Sequence, residues 1–209
     1  MISGQTISAL FTETGYAFDI PPHVQAYEVT REVLKSLCAA STPQHVAAVV
    51  RTPCLVPPDT YPDGFIVILD NVQDPGNAGA IVRSAHAFGA AGLLFSCDSA
   101  DPFSDKALRA SMGSSYHLPI WRGNAATEIV RMKETGTTVV CADLRGADTM
   151  PVLSLRTALV IGSEGRGASE KVLSLCDVYR IKMPGNAESL NASVAAGILL
   201  YEIAKEMSL

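Results

Sequence analysis

The 209-residue sequence lacks any apolar run that approaches the ~20 residues of a membrane-spanning helix. Its first residues, MISGQTISALFTETG, lack the charged-then-apolar order of a secretion signal, so we expect a protein of the cytoplasm. The five cysteines are scattered without C-x-x-C pairs, and no His/Cys spacing of a known metal site occurs. We therefore expect buried thiols, no metal and no membrane partner.

Positive charge is also scarce, because 16 Lys and Arg residues stand against 21 Asp and Glu residues and the formal net charge is −5. This balance argues against nucleic-acid binding by bulk attraction and leaves a local basic surface as the alternative. With 48% hydrophobic and 18% charged residues, the chain can bury a sizeable core and suits one domain with a small additional segment.

The N-terminal quarter of the chain is separated from the rest by a proline-rich stretch, RTPCLVPPDTYPDG, which predicts a linker. We place a domain boundary there, which gives an N-terminal segment of residues 1–57 and a larger domain of residues 58–209. Before the linker, a strand candidate begins at Ala47. A helical pattern within residues 23–50 places four apolar side chains on one face: Val29, Val33, Leu34 and Leu37.

Beyond the linker, short apolar runs rich in β-forming residues alternate with helical patterns. The predicted strands are residues 65–70, 93–97, 137–142, 158–162 and 178–183. The predicted helices are residues 77–89, 104–112, 125–135, 167–175 and 189–207. This alternation predicts an α/β fold with a mostly parallel sheet flanked by helices. Ligands of such sheets bind at the loops that leave the carboxyl ends of strands, and three of these loops have unusual compositions.

The first loop, DNVQDPGNAGAIVR, connects the predicted strand at 65–70 to the next helix. Asn77 is a residue type that caps helix starts, and Gly79 lets another backbone or a ligand approach closely. Arg83 lies one turn after Gly79, where its side chain leans back toward Asn77. An arginine here either reaches solvent or an acidic neighbour, or it serves a site built with the other two loops.

The second loop, GSEGRG, runs from Gly162 to Gly167 between a predicted strand and a helix. Its glycine order is G-x-x-G-x-G rather than the dinucleotide fingerprint G-x-G-x-x-G, and Glu164 would repel a pyrophosphate. A tight turn with a solvated glutamate accounts for the loop. A site for adenosine hydroxyls or a positively charged ligand accounts for it as well.

The third loop, PGNAESLNASVAAG, leads into a C-terminal helix with the almost wholly apolar sequence VAAGILLYEIA. Because such a helix is expected to be buried, polar groups at its entrance need partners in the backbone, each other or a ligand. Gly197 and the alanines predict close packing against a neighbouring element or a second subunit. The polar residues at the entrance are Asn186, Glu188, Ser189, Asn191 and Ser193.

Together, these segments resemble the SpoU (TrmH-type) family of S-adenosylmethionine-dependent RNA ribose methyltransferases, in the SPOUT superfamily. The similar stretches are NVQDPGNAGAIVRSAHAFG, LVIGSEGRG and IKMPGNAESLNASVAAG, with RASMGSSYHLPI between the first and the second. The similarity extends over residues 64–207. Residues 23–53 resemble the end of the small substrate-binding domain that often precedes the catalytic domain. Two departures from the family are the shortened N-terminal part and Lys182, where members usually have proline.

The resemblance implies a deep C-terminal trefoil knot, and a homodimer with active sites near the subunit interface. It implies S-adenosyl-L-methionine as cofactor and a ribose 2′-hydroxyl of structured RNA as methyl acceptor. The N-terminal segment favours ribosomal over transfer RNA. The implied cofactor-binding residues are Gly162, Ile181, Met183, Leu190 and Ser193. The implied catalytic residues are Arg83, Asn77, Glu164, Ser189 and Asn191.

In this interpretation Arg83 grips an RNA phosphate and stabilises the developing 2′-oxyanion. Asn77, Glu164 and Asn191 orient it and the ribose, and Ser189 lines the pocket. Because guanidinium stays protonated up to about pH 12, we expect a phosphate or water to accept the proton. Two alternatives are a relative that binds RNA or cofactor without catalysis, and an NAD-binding oxidoreductase, against which the absent fingerprint counts. RNA contacts in an acidic protein must be concentrated, and the candidates are Arg51, Arg83, Arg109, Arg122 and Arg166.

Overall fold

A computed structural model describes residues 7–38, 42–185 and 187–207. The chain divides into two compact units, Met1–Pro53 and Cys54–Leu209. The division falls four residues before the boundary expected from the proline-rich stretch. The role of the N-terminal segment in binding RNA stays a prediction.

The first unit is a small three-stranded sheet with one helix. Its elements are β1 (Ile7–Glu13), β2 (Ala26–Val29), α1 (Arg31–Leu37) and β3 (Val46–Val50). The strand order is β2-β1-β3, with β1 parallel to β2 and antiparallel to β3. Leu10 at the centre of β1 and Leu34 of α1 are buried and belong to its core. The strand that was expected from Ala47 is confirmed as β3.

The helical pattern read over residues 23–50 was largely wrong. Val29 belongs to β2, where it pairs with Glu13, and Thr30 caps the start of α1 by accepting a hydrogen bond from the Val33 amide. Of the four apolar residues assigned to one face, only Leu34 is buried, whereas Val33 and Leu37 are exposed. The spacing of these four residues matched a helical repeat by chance, because the last residue of β2 lies at the distance from α1 that a further helical turn would give.

The second unit contains a six-stranded sheet whose neighbouring strands are all parallel. Its strands are β4 (Gly64–Asp70), β5 (Gly92–Ser96), β6 (Ile120–Gly123), β7 (Thr138–Ala147), β8 (Arg156–Gly162) and β9 (Asp177–Tyr179). Its helices are α2 (Pro75–Ala87), α3 (Asp105–Ser111), α4 (Ala125–Glu134), α5 (Glu170–Leu173) and α6 (Ala192–Glu206), with a 3₁₀ turn at Ser114–Tyr116. The spatial order β6-β5-β4-β8-β7-β9 confirms the predicted α/β fold. The edge strand β6 was not predicted.

Two hydrophobic cores lie on opposite faces of this sheet, as the alternation of side chains along a strand requires. On one face Phe65, Val67 and Leu69 of β4 pack with α2 and α6. On the other face Ile66 and Ile68 pack with α4 and α5. The central strands β4 and β8 are therefore apolar at consecutive positions, which is why their sequences stood out.

The close approach predicted at Gly79 is confirmed, because α2 and α3 meet there. A Cβ atom at this position would lie 2.3 Å from the Ala107 carbonyl oxygen and 2.8 Å from the Ala110 Cβ. At Gly197, in contrast, an added Cβ meets no described atom within 4 Å. The packing predicted for Gly197 is thus not made within the described part of this chain.

The trefoil knot stays a prediction from the resemblance. Within the described residues, no helix has the length and apolar character to cross a membrane. The expectation of buried thiols holds for Cys141 alone, since Cys54 and Cys97 are exposed and Cys38 and Cys176 are half-buried.

Candidate active site

A pocket of about 430 Å³ lies at the carboxyl edge of the sheet, where β8, β7 and β9 are neighbours. Its walls come from the second half of β7, from the ends of β8 and β9 with the segments that follow them, and from the start of α6. Six residues expected in the site line it: Gly162, Glu164, Ile181, Met183, Ser189 and Leu190. The second and third unusual loops therefore converge, as the parallel sheet predicted.

The loop after β8 is held in a closed turn by its own backbone. The Ser163 amide donates to the Gly167 carbonyl at 3.0 Å, and the Gly167 amide donates to the Ser163 carbonyl at 2.9 Å. Gly167 has φ +69°, a left-handed conformation that favours glycine. A Cβ on Gly162 would lie 2.1 Å from both the Ala168 nitrogen and the Gly167 carbonyl carbon, so no side chain fits there. The pocket wall at this point is bare backbone.

Asn77 connects this loop to the start of α6. Its Nδ2 atom donates to Oε1 of Glu164, and its Oδ1 atom accepts a hydrogen bond of 3.1 Å from Nδ2 of Asn191. Three residues from the three sequence-distant loops are thus joined through one amide side chain. Asn77 and Asn191 do not belong to the described pocket lining. Asn77 bonds to Glu164 of the lining, and Asn191 bonds to Asn77.

The helix cap of α2 is Asp74 and not Asn77. The Asp74 carboxylate accepts a hydrogen bond of 2.9 Å from the Asn77 amide, and α2 begins at Pro75. Asn77 is therefore the third residue of the helix, which leaves its side chain free to bridge Glu164 and Asn191. The cap was mispredicted because both residue types favour helix starts. Proline at the first helical position decides between them.

Asn191 caps α6 and thereby fixes its own orientation. Its Oδ1 atom accepts hydrogen bonds from the Ser193 amide at 3.0 Å, the Ser193 hydroxyl at 2.6 Å and the Val194 amide at 3.3 Å. With the oxygen occupied, the Nδ2 group is the one that reaches Asn77. Ser193 was expected in the cofactor pocket, but it bonds to this cap and is not among the described lining residues.

Arg83 is not brought into the pocket of its own chain. The side chain is exposed on α2, and it makes no hydrogen bond or ion pair with any residue that the structure describes. We predicted from the sequence that Arg83 leans toward Asn77, but no hydrogen bond joins the two side chains. Among the polar residues expected at the entrance of α6, Asn186 lies outside the described residues, and Glu188 is exposed.

One of the five candidate RNA-binding arginines has a structural partner instead. Arg122 donates through Nη2 to the carbonyl oxygens of Ser99 and Ala100, the latter at 3.4 Å. It therefore fixes the turn after β5. The other candidates have exposed side chains: Arg51, Arg83, Arg109 and Arg166.

The sequence analysis missed a fourth pocket wall, the second half of β7, where the strand shifts its register against β9. Ala142, Asp143, Leu144 and Arg145 all line the pocket. Arg145 donates to Asp143 and holds the pKa of that carboxyl below its usual range. A signal was present, because Asp143 directly follows the predicted strand at 137–142 and so had to lie at the ligand-binding edge of the sheet.

The chemistry of this pocket suits a nucleoside that carries positive charge. The apolar side chains of Ile161, Ile181 and Leu190 can enclose a flat ring, and the bare backbone of the Gly162 turn offers amides and carbonyls to polar groups. The lining holds three carboxylates, those of Asp143, Glu164 and Glu170, against the two guanidinium groups of Arg145 and Arg166. Its volume falls in the usual range for small-molecule sites, roughly 300–1,000 Å³.

The comparisons with known proteins all indicate the same family. Residues 64–201 match the model of the SpoU rRNA Methylase family. An uncharacterised tRNA/rRNA methyltransferase from Archaeoglobus fulgidus is 44% identical over 146 residues, which are 68% of this chain and 65% of the relative. The 23S rRNA (guanosine(2553)-2′-O)-methyltransferase RlmP from Bacillus subtilis is 32% identical over 195 residues, which are 91% of this chain and 77% of the relative.

Solved structures agree. The SpoU methyltransferase AviRb from Streptomyces viridochromogenes, crystallised in complex with the cofactor AdoMet, superposes with a TM-score of 0.86 and 29% identity. That superposition covers 97% of this chain and 84% of AviRb. Aligned regions thus span 65–84% of these three proteins.

Proposed function

Because the chain belongs to the SpoU rRNA Methylase family, we propose that it transfers a methyl group from S-adenosyl-L-methionine to a ribose 2′-hydroxyl of structured RNA. The observation that carries the proposal is the hydrogen-bonded bridge of Glu164, Asn77 and Asn191 beside the pocket. Side chains from three distant loops converge at one point. Capping of α6 accounts for Asn191, but Asp74 caps α2, so capping explains neither Asn77 nor Glu164.

The pocket fits the proposed cofactor. Its bare glycine turn and apolar walls suit an adenosine, and the excess of carboxylates over guanidinium groups in its lining suits a ligand with a positive centre. The proposed contacts are those of Gly162, Ile181, Met183 and Leu190, with Ser193 acting through the helix cap. When bound, the cofactor supplies an electrophilic methyl carbon on a sulfonium. AviRb, which binds AdoMet, supports this assignment by similarity.

Residues of the chain then orient the ribose 2′-hydroxyl and stabilise the negative charge that develops on its oxygen. In the transfer, the ribose 2′-oxygen forms a bond to the methyl carbon, the carbon–sulfur bond breaks, and the hydroxyl proton leaves to a phosphate or water. Asn77, Ser189 and Asn191 orient the ribose, and Glu164 holds Asn77 in place. Arg83 stays protonated and stabilises the negative charge on the 2′-oxygen. Positioning of this kind is worth about 7 kcal/mol or more of a reaction barrier.

A second copy of the chain is the proposed partner in a homodimer. Val194, Ile198 and Tyr201 recur at helical spacing along α6, and their side chains are 50%, 37% and 57% exposed. The sequence analysis expected this apolar helix to be buried, and these three residues leave one face uncovered. The stripe borders α2, because Phe88 and Tyr201 pack with ring centroids 6.0 Å apart. Arg83 lies on that same helix, so the proposed interface and the proposed reaction centre are neighbours.

Ribosomal RNA is the proposed substrate. RlmP from Bacillus subtilis, whose alignment includes most of the first unit, acts on 23S rRNA. The first unit, β1 to β3, is proposed to select the RNA. The exposed cations Arg51, Arg109 and Arg166 are proposed to contact its phosphates. Transfer RNA is the alternative substrate.

The decisive experiment maps ribose methylations by mass spectrometry in RNA from cells with and without this gene. We expect one 2′-O-methylated nucleotide to be lost without the gene, and restored by the wild-type gene but not by Asn77→Ala. Incubation of the purified protein with RNA from the deleted strain and tritiated cofactor should label the same nucleotide. Unchanged ribose methylation, together with RNA binding and no label transfer, would point to a non-catalytic binding protein instead.

A further inference from the structure

Asp143 is held in one orientation at the wall of the pocket. Its side chain is only 9% exposed, and Arg145 donates to Oδ1 from its own backbone amide at 2.9 Å and from Nε at 2.8 Å. A third bond of 3.1 Å runs from Nη2 of Arg145 to Oδ2 of Asp143. The guanidinium therefore donates to both carboxylate oxygens. Such a bidentate pair fixes the orientation of the Asp143 side chain and also stabilises its negative charge.

This carboxylate supports the back of the loop that carries Glu164. A Cβ atom on Gly167 would lie 2.9 Å from Oδ2 of Asp143, so the carboxylate lies beside Gly167 and fills the space of a side chain there. Gly167 is also one end of the paired backbone bonds that close the turn with Ser163. Any displacement of Gly167 consequently moves the whole turn, including Glu164 at its tip.

The segment that presents Asp143 is itself fixed at its far end. A Cβ on Gly146 would lie 2.7 Å from the Tyr179 nitrogen and from the Val178 carbonyl carbon, which shows that this end of β7 packs directly on the backbone of β9. The Arg180 amide donates to the Ala147 carbonyl at 2.8 Å. In addition, Nη1 of Arg145 donates to Glu170 at 2.8 Å.

We propose that Asp143, oriented by Arg145, is a positioning residue that keeps Glu164 within reach of Asn77. The inference rests on the proposed methyl transfer, because Glu164 matters only if the bridge to Asn77 and Asn191 serves that reaction. Asp143 fixes Gly167, the two backbone bonds fix Ser163, and the tip then presents Glu164 to Asn77. Asp143 acts through the loop and does not touch the reacting atoms.

The test compares Asp143→Asn with Asp148→Asn. Asp148 forms a similar ion pair, with Arg180 at 2.7 Å, but it does not belong to the described pocket lining. We expect Asp143→Asn to lower kcat ~10- to 100-fold, since small misplacements of catalytic groups have effects of this size. We expect Asp148→Asn to change kcat less than about twofold. Circular dichroism and thermal melting of both variants separate this effect from unfolding, and Asp143→Glu serves if Asp143→Asn does not fold.

A double-mutant cycle with Glu164→Ala distinguishes positioning from a general structural role. If Asp143 acts through Glu164, then Asp143→Asn should cost less than about threefold in kcat once Glu164 has been removed. Equal fold losses in both backgrounds, or a wild-type kcat for Asp143→Asn, would overturn the inference. If the wild-type protein binds cofactor but methylates no RNA, the proposed function fails. The same cycle is then measured on the calorimetric Kd for S-adenosylmethionine, where an additive result again overturns the positioning role.

Discussion

Nδ2 of Asn191 donates to Oδ1 of Asn77 at 3.1 Å and so joins two residues that are 114 positions apart in the chain. The same asparagine caps α6 with its oxygen. The Asn191 side chain therefore caps α6 through Oδ1 and binds a residue of the proposed reaction centre through Nδ2. An experiment can separate these two roles.

Asn191→Ala should reduce both stability and activity. Loss of the cap is expected to cost about 1 kcal/mol of unfolding free energy, and loss of the bond to Asn77 should lower methyl transfer about tenfold or more. The matched control is Asn124→Ala, which removes the cap of α4 and its bonds of 3.0 Å to the Thr127 amide and hydroxyl. Urea unfolding should show similar losses for both variants, and a loss of activity in both would refute a special role for Asn191.

Arg83→Ala should abolish methyl transfer without loss of stability. Because the side chain is exposed and has no partner among the described residues, thermal melting should stay at the wild-type value. Loss of an electrostatic contact to the 2′-oxygen is expected to lower kcat ~100- to 1,000-fold, while calorimetry shows nearly unchanged cofactor affinity. Lys133→Ala, which removes a cation from α4 on the opposite face of the sheet, should retain activity. Weakened cofactor binding with intact turnover would contradict the assignment.

Gly162→Ala should destroy the pocket, whereas Gly165→Ala should be tolerated. A methyl group at Gly162 meets backbone atoms at 2.1 Å, so the loop must move, at a cost of about 3 kcal/mol or more. At Gly165 the added group meets no described atom within 4 Å. Calorimetry with S-adenosylmethionine should show no binding to the first variant and normal binding to the second. Equal affinities would show that the glycine turn is not the cofactor site.

Ile198→Glu should separate the proposed homodimer into monomers. Burial of a charge without a partner in an apolar interface is strongly unfavourable. Light scattering after size exclusion should report a dimer for the wild type and a monomer for the variant. Val152→Glu, at an apolar residue that is 92% exposed on a different segment, should remain dimeric. A monomeric wild type would exclude the interface.

The ion pair between Asp74 and Lys106 should make part of the stability depend on pH. The Nζ atom of Lys106 lies 2.5 Å from Oδ2 of Asp74, and this contact, followed by the hydrogen bond from the Asn77 amide, lowers the pKa of the carboxyl. A lowered folded-state pKa means that the stabilisation is present above the ordinary aspartate pKa and is lost as the pH falls through the lowered value.

The corresponding variant, Asp74→Asn, keeps a cap acceptor and loses the charge. We expect it to be less stable than the wild type by under ~1 kcal/mol at pH 7, because both side chains of the pair are largely exposed. The difference should shrink below about pH 4. Urea unfolding at several pH values measures it, and a difference that is constant down to the acid range would rule out the ion pair as its source.

The sequence predicted the catalytic sheet well because buried parallel strands are apolar at every position. Runs such as FIVILD and ALVIG could not be mistaken for half-exposed segments, and helices between them left little freedom in topology. From the sheet followed the convergence of Gly162, Glu164 and Ser189, since neighbouring parallel strands end at the same edge. The family model and the solved relatives confirm the resemblance that linked these loops to one another.

Other features were hidden because they depend on contacts between distant residues. The exposed face of α6 could not be seen, since a helix that is apolar on all sides has no periodicity to show which side is covered. The strands β1 and β2 pair with each other, and a local sequence pattern does not reveal such a pairing. Asp143 was passed over because its role depends on Gly167, which is more than twenty residues further along the chain.

The position of α6 in the chain gives the protein a built-in order of assembly. During synthesis, β4 and the turn that carries Glu164 leave the ribosome well before Asn191. Until the residues of α6 have emerged, Asn77 lacks its second partner and the core face of α2 and β4 lacks part of its cover. The bridge from Glu164 through Asn77 is therefore complete only when α6 has been synthesised and Asn191 has packed beside Asn77.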